Sequence, residues 1–214
     1  RNSADEKPLK IYIFTAGKQG YEQAAVIEGT GTSIYSIAYE DLDQDGRKEL
    51  LVGWRVNTDL LALSVYTLRS GEPEELVQGT SYVKYAVNDL NQDGLWELVV
   101  LRADEEGNGI ADYYCWQEEE FQLRTSARIT STMAELNQGS VVTGKLDQDT
   151  PAVFITGINS QGIAVTDILV WQEDADHPSY YEAYDLARRA FARLRRFERE
   201  DAEPSARREG KENP

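Results

Sequence analysis

Cysteine is almost absent from this sequence. Its 214 residues contain one cysteine, Cys115, which excludes an internal disulfide framework and leaves the redox compartment open. Cys115 is predicted to be a small core residue within a strand. No apolar run approaches the ~20 residues that a membrane-spanning helix needs, so no transmembrane segment is predicted. No signal peptide is visible, but the chain begins at Arg1, so we expect a processed or trimmed piece of a longer protein.

Basic residues are also scarce. Lys and Arg number 22 against 38 Asp and Glu, a net charge of −16. Nucleic-acid binders need a basic face, so the composition argues against a nucleic-acid partner and favours cation sites. The basic residues that exist are concentrated after residue 184, where eight of the fifteen arginines lie.

The residues that catalysis commonly uses are few. The single histidine, His177, lies in a polar turn and is expected at the surface. The stretch GKQG at 17–20 predicts a hairpin turn rather than a phosphate-binding loop. No nucleophile and base, and no acid pair outside the acidic loops described below, stand out. We therefore predict that the chain is not itself an enzyme.

Residues 9 to 172 are instead rich in strand signals. Segments of β-branched and aromatic residues alternate with Gly, Asn and Asp clusters. Several segments are apolar on both faces, which is typical of strands buried on both sides, and no helical period runs through the region. The main predicted strands are 9–14, 33–39, 49–56, 61–68, 97–101, 111–117, 152–157 and 164–172.

The strand region is internally repeated. Residues 31–54 and 79–102 are identical at twelve of 24 positions, and a weaker third copy occupies 145–157. Each unit predicts four strands in about fifty residues, the pattern of a propeller blade. We predict an all-β fold, a β-propeller arc of about three four-stranded blades, with 139–172 supplying three strands of a last blade. The end blades of such an arc would expose apolar faces, so self-association through open blade edges is expected.

The first repeat contains the acidic loop DLDQDGRKE at 41–49. Carboxylates at its positions 1, 3 and 5 converge on one point, and a glycine at position 6 permits the sharp turn. A carbonyl at position 7 and a carboxylate at position 9 complete a shell of hard oxygens, which suits Ca²⁺ better than Mg²⁺ or zinc. The predicted ligands are Asp41, Asp43, Asp45, Glu49 and the main-chain carbonyl of Arg47.

The second repeat contains the matching loop DLNQDGLWE at 89–97. It has three carboxylates against four, so the first site is predicted to bind more tightly. An EF-hand is disfavoured, because position 12 is Val52 or Val100 rather than Glu and the flanks are strands. The open alternative is that both loops are simple turns. The predicted ligands are Asp89, Asn91, Asp93, Glu97 and the main-chain carbonyl of Leu95.

The third copy has lost the ligand pattern. Lys145 replaces the first Asp, Thr150 replaces the Gly and Val153 replaces the Glu, so this loop is not expected to bind calcium. One hypothesis is that the Lys145 ammonium takes the vacated cation position and pairs with Asp147 and Asp149. The alternative is decay by drift.

The two intact loops resemble the FG-GAP/VCBS repeats of integrin-like β-propellers. The resemblance covers roughly residues 9–172 and is strongest in DLDQDGRKELLVG and DLNQDGLWELVV. It departs from the family pattern at the ninth loop position, where Glu stands for the more usual Asp, and the phenylalanine-glycine signature is not evident. The resemblance implies calcium between the first two strands of a blade. It also implies an extracellular or cell-surface setting, as in bacterial surface lipoproteins and adhesion modules.

Two regions are predicted, the blades at 1–176 and an Arg-rich tail at 177–214. The tail predicts a C-terminal amphipathic helix followed by a disordered segment, because Tyr184, Ala187, Phe191, Leu194 and Phe197 fall near helical spacing. It could cover an exposed blade edge, contact a partner or be a foreign ending.

Two functions stay open at this point. The first is a calcium-binding β-propeller module that binds a protein or glycan. The alternative is the non-catalytic propeller part of a larger secreted enzyme, a polysaccharide lyase or hydrolase. Aromatic side chains suit either packing between blades or a sugar-binding platform, and packing is favoured. These residues are Tyr35, Tyr39, Trp54, Tyr82, Tyr85, Trp96, Tyr113, Tyr114, Trp116 and Trp171.

Overall fold

The computed structural model describes residues 8–29, 31–117, 120–172 and 177–179, which form fourteen strands and one short helix. All strand pairs are antiparallel, and they make one two-stranded and three four-stranded sheets. The prediction of an all-β fold is confirmed. The predicted helical tail lies outside the described residues. None of the helices within the described ranges is long and apolar enough to cross a bilayer.

Each sheet is formed by strands in chain order, so each four-stranded sheet is an antiparallel meander. The first sheet is the hairpin β1 (Leu9–Gly17) and β2 (Gly20–Gly29), joined by the predicted turn. The second sheet contains β3 (Ser33–Glu40), β4 (Glu49–Arg55), β5 (Leu61–Thr67) and β6 (Glu74–Tyr82). The third contains β7 (Lys84–Asn88), β8 (Glu97–Ala103), β9 (Asn108–Gln117) and β10 (Glu120–Thr132). The fourth contains β11 (Ser140–Lys145), β12 (Pro151–Ile158), β13 (Ala164–Gln172) and β14 (His177–Ser179).

The last sheet has one strand more than the sequence predicted. β14 pairs with the end of β13, where Trp171 lies opposite Pro178. It extends the strand structure three residues past 176, the predicted end of the blade region. The segment HPS has little strand propensity of its own, so its pairing depends on the neighbouring strand rather than on local preference.

The short helix α1 (Met133–Gln138) connects β10 to β11 and was not predicted. Thr132 caps it: its hydroxyl accepts from the N–H of Glu135, whose carboxylate accepts from the N–H of Thr132 at 2.8 Å. This is a capping box, and its T-x-x-E signature is present in the sequence. Leu136 is fully buried and anchors the helix to the core. Six residues are too few for a helical period to be visible.

The sheets stack face to face in chain order. In β8, Leu98 and Val100 pack with Leu51 of β4 between the second and third sheets. Val99 and Leu101 of the same strand point the other way and pack between the third and fourth sheets. All five are at most 1% exposed, which explains why these strands are apolar on both faces. The hairpin covers the remaining face of the second sheet with Ile11, Ile13 and Ile27.

Most of the aromatic residues pack in these interfaces. Trp54, Tyr82 and Tyr113 are at most 4% exposed, so packing is confirmed as their role. Cys115 is half-buried against the cluster between the third and fourth sheets. The remaining predicted residues Tyr85, Trp96, Tyr114, Trp116 and Trp171 are half-buried against the same clusters, whereas Tyr35 and Tyr39 are exposed.

Candidate metal centre

The two predicted acidic loops occupy equivalent places in consecutive sheets. The first connects β3 to β4, and the pair Glu40–Glu49 closes it. The second connects β7 to β8 and is closed by the pair Asn88–Glu97. Each therefore leaves eight residues unpaired, 41–48 and 89–96. The sequence repeat is thus also a structural repeat, and its most similar part is the loop.

Main-chain hydrogen bonds hold the carboxylates of the first loop in place. Gly46, with φ of 85°, turns the chain so that its N–H donates to Asp41 Oδ2 at 3.1 Å. The N–H of Asp45 donates to Asp43 Oδ1 at 3.2 Å. Asp41, Asp43 and Glu49 each present one oxygen within 4.8 Å of the others. Within the described ranges, this is the group of three acidic side chains whose oxygens meet at metal-binding distance.

Glu49 is the most unusual member of this group. It is 0% exposed, and its Oε2 accepts from the N–H of Leu42 at 2.9 Å. Its Oε1 is buried with no hydrogen-bond partner, as is Asp41 Oδ1. Burial raises the pKa of the Glu49 carboxyl, since the charged form is poorly solvated there. A buried carboxylate oxygen without a partner costs free energy, and a bound cation would remove that cost.

Asp45 is arranged differently from the other predicted acidic ligands. Its Oδ1 accepts from the N–H of Arg47 at 2.7 Å. Its Oδ2 faces the side chain of Arg69, whose Nε lies 3.5 Å away. Asp45 is outside the group of three converging carboxylates, and its role as a ligand, like that of the Arg47 carbonyl, stays a prediction.

The second loop repeats this scaffold. Gly94, with φ of 89°, donates its N–H to Asp89 Oδ2 at 3.1 Å. Glu97 is 1% exposed and accepts from the N–H of Leu90 at 2.8 Å, as Glu49 does from Leu42. Asp89 Oδ1 is buried without a partner. Burial raises the pKa of Glu97 to about 7.

The amide at position 3 distinguishes the second loop from the first. Asn91 donates from Nδ2 to Asp93 Oδ2 at 2.9 Å, and its Oδ1 accepts from the N–H of Asp93 at 3.0 Å. Asp93 Oδ1 in turn accepts from the N–H of Leu95 at 2.7 Å. The structure therefore joins Asn91 to Asp93, but within the described ranges the three carboxylates of the second loop do not converge as those of the first do, so their role as ligands stays a prediction. Coordination by the Leu95 carbonyl stays a prediction.

The two loops touch each other. The N–H of Trp96, one residue before Glu97, donates to the carbonyl of Leu42 at 2.7 Å. Leu42 is the residue whose N–H binds the Glu49 carboxylate. Leu42 therefore binds the Glu49 carboxylate through its N–H and, through its carbonyl, the residue that precedes Glu97.

The third loop is built differently. Leu146 donates its N–H to the carbonyl of Thr150 at 2.8 Å, because Val153 offers no carboxylate and is buried in the apolar interface. Strand pairing reaches Lys145–Pro151, so only residues 146–150 are unpaired. The Lys145 ammonium lies at the loop but donates to the carbonyl of Gln148 at 3.3 Å. In the described loop it forms no direct ion pair with either aspartate, although its charge contributes, after hydrogen bonds from Asp149 and Thr150, to lowering the pKa of Asp147.

A cation that the sequence analysis missed lies on the first loop. Arg69, in the turn after β5, forms ion pairs with Asp43 and Asp45. Its guanidinium also lies 4.8 Å from the centre of the Trp116 ring on β9. These residues are far apart in sequence and follow no spacing rule. Their only sequence signal is a basic residue where the second repeat has Gln117.

No protein-family model matches the chain, and no curated protein matches it either. The two loops are therefore the evidence for a metal site. The donors predicted for them are carboxylates, an amide and main-chain carbonyls, without an imidazole or thiolate. That set of hard oxygens fits Ca²⁺. The residues present are therefore compatible with the ion that the loop pattern predicts.

Proposed function

We propose that this chain is a calcium-binding β-propeller module of a secreted or cell-surface protein, and that it acts by binding a protein or glycan rather than by catalysis. Three four-stranded meanders stacked in chain order support the propeller interpretation. The acidic loops recur between the first and second strands of two consecutive meanders, which is the place that the FG-GAP/VCBS resemblance implies.

The observation that carries the calcium proposal is the state of Glu49. Its carboxylate is fully buried, and one oxygen has no partner in a group with Asp41 and Asp43. A simple turn would leave its acids in solvent. Here a calcium ion would supply a partner for the buried Glu49 oxygen and would bind one oxygen from each of the three side chains. The calcium of an extracellular setting would keep such loops loaded.

Exposed aromatic and aliphatic side chains support the binding role. Tyr35, Ile37 and Tyr39 project from one face of β3 at alternate positions and are 54%, 47% and 48% exposed. Arg55 lies over the Tyr35 ring at 5.1 Å. Aromatic rings beside a cationic group suit contacts with a protein or a sugar. Binding of a calcium-loaded chain to glycan arrays or surface proteins should weaken with Tyr35→Ala if this face is used.

The experiment that tests the calcium proposal is thermal unfolding with chelator, with Ca²⁺ and with Mg²⁺. An ion at 100 times its Kd stabilises the native state by about 2.7 kcal/mol, which corresponds to a shift of several degrees. We expect that shift with Ca²⁺ and a smaller one with Mg²⁺. Glu49→Gln should reduce it, whereas Asp147→Asn in the third loop should not. Identical melting in all three conditions would contradict the proposal.

A further inference from the structure

Arg69 is a cation that the fold itself places on the first acidic loop. We propose that it is a resident counter-ion of this loop, which an incoming calcium ion must displace. The first loop then binds calcium no more tightly than the second, despite its extra carboxylate. Calcium binding to the first loop also changes the electrostatic environment of the Trp116 ring. This inference rests on the proposed calcium function.

The contacts of Arg69 are those of a counter-ion. The guanidinium pairs with Asp43 and reaches Asp45 Oδ2 with Nε at 3.5 Å. The Asp43 side chain is only 11% exposed, so its negative charge is poorly screened by water. Arg47 fixes the turn that carries Arg69, because its Nη1 donates to the Arg69 carbonyl at 3.2 Å. A guanidinium does not lose its proton in a protein, so only another cation can take its place.

The second loop has no corresponding charge. Tyr66 is paired with Leu50 in the second sheet, as Tyr114 is with Leu98 in the third. This register makes Gln117 the structural equivalent of Arg69. Four carboxylates with one guanidinium carry the same net charge as three carboxylates alone. Arg69 therefore cancels the charge of the extra carboxylate, which was the reason for predicting tighter calcium binding at the first loop.

Displacement of Arg69 would be felt on the neighbouring sheet. Its guanidinium lies 4.8 Å from the Trp116 ring, and that ring packs against Phe121 with centroids 5.1 Å apart. Asp43 lies in the loop between β3 and β4 of the second sheet and Trp116 on β9 of the third, so Arg69 bridges the two. Removing a cation from an aromatic face changes the electrostatic environment of the indole. Trp116 is thus placed to report the arrival of calcium in the first loop.

The test measures calcium affinity of the first loop by itself. In a background in which Asp89→Asn and Asp93→Asn disable the second loop, calcium titration calorimetry gives the Kd of the first. Replacing Arg69 with the neutral residue of the other repeat, Arg69→Gln, should lower that Kd about tenfold, as expected for removing one charge near a divalent ion. Lys48→Gln is the matched control: it removes a positive charge from the same loop without the ion pairs, and should change the Kd less than about twofold.

The reciprocal variant keeps the proposal testable if Arg69→Gln folds poorly. In a background in which Asp41→Asn and Asp43→Asn disable the first loop, Gln117→Arg should weaken calcium binding to the second. Calcium should also change tryptophan emission in the chain with the native first loop. Trp116→Phe should remove that change, and Arg69→Gln should reduce it.

The outcomes separate this inference from the function on which it rests. If Arg69→Gln and Lys48→Gln change the calcium Kd equally, the change reflects only the total charge near the loop, and the counter-ion role of Arg69 is overturned. Binding that ignores Arg69→Gln would overturn it too, while leaving the calcium module intact. A native chain that binds no calcium at either loop would overturn both.

Discussion

The buried Glu97 should make the calcium-free protein less stable as the pH rises. Its carboxyl has an ordinary pKa of 4.5 in the unfolded chain, and burial raises the pKa to about 7 in the fold. Between these values the native state holds a proton that the unfolded state has released. Stability therefore falls as the pH increases through this window, and the loss is complete above about pH 7.

The size of the effect follows from the shift in pKa. A rise from 4.5 to about 7 corresponds to about 3 kcal/mol of native-state stability, lost as the pH rises from 4.5 to about 7. Glu97→Gln cannot ionise but keeps an oxygen for the N–H of Leu90, so it should lose the Glu97 share of this dependence. Burial also raises the pKa of Glu49, so the variant should retain a weaker dependence of the same sign.

The assay is urea unfolding of the native chain and Glu97→Gln in chelator at several pH values. We expect the variant to be the more stable protein at pH 8 and the difference to shrink toward pH 5. Glu74→Gln, at an exposed position, is the control and should match the native chain. Calcium at pH 8 should restore the stability of the native chain, because the ion stabilises the ionised carboxylate. If the free energy of unfolding changes equally with pH in the native chain and in Glu97→Gln, the reasoning is refuted.

Two further predictions concern the packing and the polar core. Leu51→Ala, at a fully buried site between the second and third sheets, should cost about 3 kcal/mol in urea unfolding, whereas Leu60→Ala at a 36% exposed site should cost far less. Similar losses at both sites would argue against the stacked sheets. Arg102 donates to Asp112 through Nη2 at 3.1 Å, and the Asp112 side chain is 3% exposed. Arg102→Gln should therefore cost about 3 kcal/mol in the same assay, and adding Asp112→Asn should recover part of it; no recovery would contradict an uncompensated buried charge.

Much of the fold could be predicted because its strongest signals are local. Strands buried on both faces are apolar throughout, so β4, β8 and β12 could be predicted from their apolar runs. The agreement extends to the boundaries: β4 ends at Arg55, one residue before its predicted end. The repeat of 31–54 in 79–102 identifies both loops from the sequence alone. The helix α1 was missed because six residues show no period, and β14 because its strand state comes from pairing with β13.

The site could be predicted only in part for the same physical reason. The acids, the amide and the glycine of each loop lie within nine residues, so their spacing was informative. The burial of Glu49 and Glu97 was not visible, since glutamates are mostly exposed and only the stacking of sheets covers these two. The contact of Arg69 with Asp43 and Trp116 joins residues that no spacing rule relates. The altered pairing of the third loop follows from Val153, whose apolar side chain belongs to the interface.

The alternation of side chains in β8 has a consequence for the order of the repeats. The two faces of this central strand differ: one face of β8 packs in a cluster with Leu51 and Leu63 of the second sheet, and the other in a cluster with Val153 and Ile155 of the fourth. A shuffled chain with its second and third units exchanged would keep the composition, the strands and both acidic loops. It would nevertheless set each side against the wrong partner, with gaps and clashes of a few methylene groups. The linear arrangement of the units is therefore encoded in their surfaces, and not only in the connections between them.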